Sequence, residues 1–161
     1  MTSLCRPQVL LAAFFALTVL PCQARLGETL DQCIARYGQP ISAKDMPDAL
    51  GVGEKEAIFQ KSGYTIVVSF LKGSAGAEEF VKQGGSDLSD TERDIILQAD
   101  SARGKWIKSE KSGIEEIWVR EDGAVALHNA TKHYLVLETK ECVTALKAKI
   151  ATDAKNKLKD F

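Results

Sequence analysis

The apolar positions along the chain change period several times, and each change marks an element. Residues 9–20 form an unbroken apolar run in which only Thr18 is even weakly polar. Leu26, Leu30, Cys33, Ile34 and Tyr37 then recur at three and four, the stripe of a helix predicted over residues 29–37. Thr29 with Gln32 has the form of a capping box, and Gly38 followed by Pro40 stops the helix. Residues 41–55, with Pro47, Gly51 and Gly53, read as a loop. Residues 56–60, 64–70 and 77–82 read as strands separated by glycine-bearing turns. Ser89 to Glu92 is a second capping box, opening a helix over residues 90–100 whose Leu88, Ile95, Ile96 and Ala99 share a face.

A second run of strands is predicted around Trp106 and over residues 115–120, 124–128 and 134–139, with Asp122-Gly123 as a hairpin turn. Their apolar residues do not alternate cleanly. Ile117, Val119, Val125, Leu127, Leu135 and Leu137 define one face, whereas Trp118, Ala126, Tyr134 and Val136 put apolar groups on the other. A sheet of this kind is expected to be covered on both sides, at least in part. From Glu141 onward, Val143, Leu146, Ile150, Ala154, Leu158 and Phe161 follow helical spacing, with five lysines largely off the stripe. This C-terminal amphipathic helix is the nearest cover for the sheet's second face. The fold class is α+β: antiparallel sheet with packed helices, arranged as a tandem repeat of helix plus meander.

The opening run changes where that domain is expected to reside. Arg6 precedes the apolar stretch, and Pro21, Cys22 and Ala24 follow it, the order of a secretory signal cut between Ala24 and Arg25. Twelve apolar residues are too few for a retained membrane span, which needs about 18 or more. Residues 1–24 are therefore read as a signal peptide and residues 25–161 as one domain, periplasmic or secreted. Cys22 offers an alternative as the lipidated cysteine of a bacterial lipoprotein, although Pro21 fits that box poorly. Without residues 1–24 the chain keeps 20 basic and 22 acidic residues. That balance argues against a nucleic-acid binder, and the trimmed chain has no integral membrane segment.

Candidate chemistry is sparse. Cys33 and Cys142 survive trimming. They are read either as a disulfide closing a loop worth about 4–5 kcal/mol in the chain-entropy model, or as small buried hydrophobes on helix faces. His128 and His133 flank a four-residue loop and are expected to be exposed there; two imidazoles are at most half a zinc site. Glu78-Glu79 and Glu115-Glu116 are strand neighbours that point to opposite faces, so neither pair is a dyad, and both are expected on the surface. Neither a Gly-x-Ser-x-Gly elbow nor a phosphate-binding glycine loop is present. Asn129-Ala130-Thr131 matches a glycosylation acceptor. No catalytic residue, metal site or cofactor is assigned. The expected function is non-enzymatic binding of a protein partner in the cell envelope or outside the cell. Tyr64, Trp106, Trp118 and Tyr134 supply contact aromatics, with Trp118 and Tyr134 as the candidate contact surface. The alternative is a small-ligand binder or hydrolase whose site is assembled from distant residues.

The stretch Leu26-Gly27-Glu28-Thr29-Leu30-Asp31-Gln32-Cys33-Ile34-Ala35-Arg36-Tyr37-Gly38-Gln39-Pro40 resembles the opening of the small outer-membrane-assembly lipoproteins of the SmpA/OmlA type. Residues 64–70 with Lys72-Gly73 resemble the next strand and turn of that family. The likeness covers about a third of the trimmed chain and implies a non-catalytic envelope protein acting through protein contacts. It does not extend to a lipobox or to residues 89–161, which short family members lack. A tandem helix-plus-meander unit is also similar, at the level of fold, to secreted β-lactamase-inhibitor proteins.

Overall fold

A computed structural model of the protein describes residues 25–46, 53–109, 114–157 and 159. The predicted signal peptide with Cys22 and Ala24, the Pro47 and Gly51 positions of the first loop, and Leu158 and Phe161 lie outside the described residues. Among the described residues, eight antiparallel strands form one sheet: β1 (Ser42–Asp45), β2 (Lys55–Lys61), β3 (Tyr64–Leu71), β4 (Ser74–Lys82), β5 (Trp106–Lys108), β6 (Glu115–Arg120), β7 (Val125–Asn129) and β8 (Tyr134–Glu138). Their spatial order is β1-β2-β3-β4-β8-β7-β6-β5. Each half is a four-stranded meander in chain order, and the halves join where β4 pairs with β8. Helix α1 (Leu30–Tyr37) precedes the first meander, α2 (Asp90–Ala99) precedes the second, and α3 (Lys140–Lys157) closes the chain. The tandem arrangement is thus visible in the topology.

Local signals account for both short helices. Thr29 and Gln32 close a reciprocal capping box on α1, and Ser89 and Glu92 do the same on α2, satisfying free first-turn amides. Gly38 ends α1 at φ 93°, a conformation costly for any residue with a Cβ. Strand β1 is absent from the sequence reading. Its Ser-Ala-Lys-Asp carries no apolar pattern and is exposed throughout, so it exists only by pairing with β2.

Both α1 and α2 lie on the same side of the sheet. Cys33 and Tyr37 from α1 and Ile96 and Leu97 from α2 share one core with Phe59, Val68, Phe80, Trp118, Leu135 and Leu137. Fully burying a large apolar side chain of this kind contributes about 1.5–3 kcal/mol. Ile95, expected inward, is 58% exposed. The parity of β8 also differs from expectation: Leu135 and Leu137 belong with Trp118 and Ala126 on the covered face, and Tyr134 and Val136 belong with Ile117 and Leu127. The β7–β8 turn sets this parity. Asn129 Oδ1 accepts the main-chain N–H of Thr131 and Lys132 at 3.1 and 2.9 Å, and His133 takes φ 58°.

Helix α3 does not cover the second face. Only its first two turns dock: Cys142, Ala145 and Leu146 meet Leu71 and Ala77. A bulge where β3 passes β4 leaves Gly76 there, and a Cβ on Gly76 would come within 3.1 Å of the Leu71 Cβ and 3.7 Å of the Cys142 Cβ. Beyond that contact the helix is largely exposed, including Ile150 at 59%. The two cysteines therefore sit in different clusters, Cys33 in the main core and Cys142 beneath α3 on the opposite face. Both are free in this structure, with the sheet between them, and no bridge joins them there.

Candidate functional site

Three features of the fold hold polar chemistry: a buried charged cluster, a cleft above part of it, and the uncovered sheet face. The cluster begins on β4. Glu78 lies in the transverse row Val68–Glu78–Leu137 on the covered face and is fully buried, not on the surface as its sequence suggests. Tyr37 donates its hydroxyl to Glu78 Oε2 at 3.0 Å, while Oε1 has no hydrogen-bond partner. Burial pushes the Glu78 carboxyl up to about 7, against the opposing pull of Arg25 and the Tyr37 hydroxyl. Ligand atoms of Glu28, Cys33 and Glu78 lie within 4.8 Å of one another, close enough to share a metal ion. The donor chemistry fits poorly. Arg36 binds both oxygens of Glu28, and burial, with the Glu78 charge, pushes the Cys33 thiol up to about 12.

Asp100, the C-cap of α2, joins this cluster to the start of the described chain. Its Oδ1 accepts the main-chain N–H of Arg25 at 2.9 Å and of Leu26 at 3.1 Å. Its Oδ2 and carbonyl oxygen both accept from Arg120 Nη1, at 2.6 and 2.5 Å. Arg120 also grips Asp122 through Nε and Nη2, at 2.8 and 2.9 Å, and its guanidinium stands 4.9 Å from the Trp106 ring centre. Asp100 is 0% and Arg120 2% exposed. Desolvation raises the Asp100 carboxyl despite Arg120 and the two amides.

Above the cluster, a half-open cleft of about 370 Å³ runs between α1, α2 and the β2–β3 turn. Its floor includes Ile66, Phe80 and Ile96, and its polar lining includes Arg25, Arg36, Lys61 and Tyr64. No histidine lines it.

The histidines lie elsewhere and are not alike. His128 is buried on the covered face, with Nε2 2.8 Å from Asp87 Oδ1, whereas His133 is part-exposed in the turn, with Nδ1 3.8 Å from the same oxygen. Burial alone would raise Asp87, but the His128 hydrogen bond, the Leu88 amide and the histidine charges outweigh it and hold the carboxyl low. Among the described residues no hydroxyl or thiol hydrogen-bonds to either imidazole. Nucleophilic catalysis needs a base within about 3 Å of the nucleophile, and that pairing is missing here.

The third feature is the face opposite α1 and α2. Cross-strand partners share a face, so the register places Ile58, Val67, Glu79, Val136, Leu127 and Ile117 in one row across six strands. A flanking row runs Ala77, Glu138, Val125, Val119, Ile107, with Val119 and Ile107 being 42% and 63% exposed. Another runs Thr65, Val81, Tyr134, Asn129, Glu115. Of the two residues singled out as a contact surface, Tyr134 belongs to this face. Trp118 does not: it is 7% exposed, it faces the helices, and Lys108 Nζ stands 5.3 Å from its ring centre. Trp118 belongs to the core, while the open face is made mostly of β-branched and aliphatic side chains together with Tyr134.

No helix among the described residues is long and apolar enough to cross a membrane. No family model matches the chain, and no curated protein matches it. Among solved structures, the chain is similar to a 1.5 Å crystal structure of an extracellular protein containing a SCP domain from Bacillus anthracis str. Ames. The likeness covers 88% of this chain at 12% identity with a TM-score of 0.43, and the chain spans about half of that protein, 52% of its length.

Proposed function

We propose that the protein is an exported, non-catalytic binding protein that presents the uncovered face of its sheet to a basic protein surface studded with apolar side chains. The observation that carries this reading is the row from Ile58 to Ile117: five strand spacings, roughly 24 Å, of apolar side chains interrupted only by Glu79, over which no helix of the described residues packs. Contiguous apolar surface on that scale marks interaction sites in monomeric proteins. The charge on this face selects the partner. Glu79, Glu115 and Glu138 have no lysine or arginine at ion-pair distance among the described residues, and Glu56 is the acid here that does, with Lys44 at 3.3 Å. Burial already raises the carboxyls of Glu79 and Glu138. A partner that dried them further without supplying a cation would pay a desolvation penalty.

Two measurements test the proposal. Export predicts that the protein recovered from its source cells begins at Arg25, read by intact mass and terminal sequencing; a chain beginning at Met1 in the cytosol refutes export. Binding is tested by capture from the envelope and medium of those cells with the wild-type protein and with Leu127→Lys/Val136→Lys. Both positions are part-buried on the open face, where a lysine can carry its charge out to water, so melting temperature is expected to hold within a few degrees. A specific partner is expected to be kept by the wild type, lost by the double variant and weakened more than tenfold between 0.05 and 0.5 M salt, as screening predicts. Recovery of the same proteins by both forms overturns the reading. Self-association through this face, seen by analytical ultracentrifugation and lost in the double variant, would replace the heterologous partner with a second copy.

A further inference from the structure

We propose that the cleft between α1 and α2 is a binding site for a small monocarboxylate with an apolar tail, anchored by Arg25. This site is separate from the sheet face and stands or falls without it.

The argument is one of elimination among the polar groups that line the cleft. Arg36 is satisfied by the Glu28 carboxylate, and Lys61 Nζ donates to the Arg36 carbonyl. Glu92 is held by Tyr64 at 2.5 Å, by Lys82 at 2.9 Å and by the N-cap serine, Ser89. Arg25 differs from all of these. Among the described residues no carboxylate lies at ion-pair distance from its guanidinium, and its Nε is buried with no hydrogen-bond partner. An unpaired desolvated donor is costly, and it leaves the guanidinium without a carboxylate of the protein to hold it. The guanidinium is also held in place before any ligand arrives: it stands 5.3 Å from the Phe80 ring centre, and its own main-chain N–H and that of Leu26 are tied to Asp100. Pre-organisation of this kind lowers the ordering cost of binding.

The rest of the lining sets the ligand class. One free guanidinium matches one carboxylate, whose two oxygens it can receive side by side. Glu92 at the rim disfavours a dianion. The floor of Ile66, Phe80 and Ile96, and a wall formed by the 58% exposed Ile95, call for an apolar body behind the carboxylate. At about 30 Å³ per heavy atom, the share of a water molecule in the liquid, a cavity of about 370 Å³ admits about a dozen such atoms. A straight or branched aliphatic acid of medium length fits; a long-chain lipid or a nucleotide does not.

The test is calorimetric titration of the exported, purified protein with octanoate and with 1-octanol at pH 6, where Glu78 keeps its proton and the carboxylate ligand is ionised. Octanoate is expected to bind at least tenfold more tightly than the alcohol, and Arg25→Met is expected to bring the two to parity. Arg25 lies next to the predicted cleavage site, so a second variant guards against faulty export. Ile95→Glu, at an exposed position, is expected to abolish octanoate binding while leaving the melting temperature within a few degrees of wild type. Equal affinity for acid and alcohol, no binding of either, or octanoate binding unchanged in Ile95→Glu overturns the proposal.

Discussion

Arg120→Ala is expected to destabilise the protein by about 3–5 kcal/mol, the usual cost of removing one partner from a buried ion pair. Arg120 is the point at which four parts of the chain meet. It holds the end of α2 through Asp100, the β6–β7 turn through Asp122, and the edge strand β5 through Trp106. Through Asp100 it also reaches the residues leading into α1. Truncation leaves the Asp100 carboxylate 0% exposed and held only by two amides, and it opens a cavity against Trp106. Urea unfolding followed by circular dichroism measures the loss. Asp122→Ala is the control: Asp122 is 34% exposed, so its removal is expected to cost about 1 kcal/mol. Asp100→Asn combined with Arg120→Met is expected to cost less than the sum of the single changes, because no uncompensated charge is then buried. An Arg120→Ala loss below 1 kcal/mol would show that water reaches Asp100 and that the junction does not hold the fold together.

The parts of the structure that depend on neighbours in sequence are legible in the sequence. The capping boxes Thr29–Gln32 and Ser89–Glu92, the Gly38 stop and the β-branched run of β3 each rest on interactions spanning a few residues, and spacing reveals them. The two halves of the repeat follow from the same elements. What is not legible depends on contacts that spacing cannot encode. Tyr37 meets Glu78 across 41 positions, and Arg25 meets Asp100 across 75. A glutamate in a strand reads as solvent-facing unless its partner is known. One local signal does bear on Glu78: adjacent strand residues face opposite ways, so Glu78 and Glu79 cannot both lie on the face away from the helices. The same kind of parity, shifted by the turn at Asn129–His133, sends Leu135 and Leu137 inward. The apolar residues on both faces were a sound observation that implied the wrong cover. The helix expected over the second face touches it only near Ala77, and that mismatch between apolar content and cover is what draws attention to the face as an interaction site.

Glu78→Gln is expected to make the protein more stable at neutral and alkaline pH, and the gain is expected to appear over a defined window. Glu78 has an ordinary carboxyl pKa of 4.5 in the unfolded chain and one of about 7 when buried. Between these values the folded protein keeps a proton that the unfolded chain has released, so the folded state binds more protons and stability falls as pH rises. The contribution is complete below about 4.5, declines through about 7 and is level above it. A shift of this size corresponds to on the order of 3 kcal/mol. Glutamine reproduces the protonated form: its carbonyl oxygen accepts the Tyr37 hydroxyl, and its amide donates where Oε1 now has no partner. Other displaced carboxyls, Asp100 above all, are common to both proteins and cancel in the comparison. Thermal unfolding of wild type and Glu78→Gln from pH 4.5 to 8.5 is therefore expected to show two nearly coincident curves at the acid end. They then separate by roughly 10 °C at pH 8, given a few degrees per kcal/mol for a domain of this size. A separation that does not change with pH, or a wild type that gains on the variant as pH rises, would mean that Glu78 is already ionised in the folded protein at the acid end of the series. Arg25 would then be its counter-ion, and the free guanidinium on which carboxylate binding depends would not exist. The same titration thus examines the charge state of the core and the availability of the cleft's anchor.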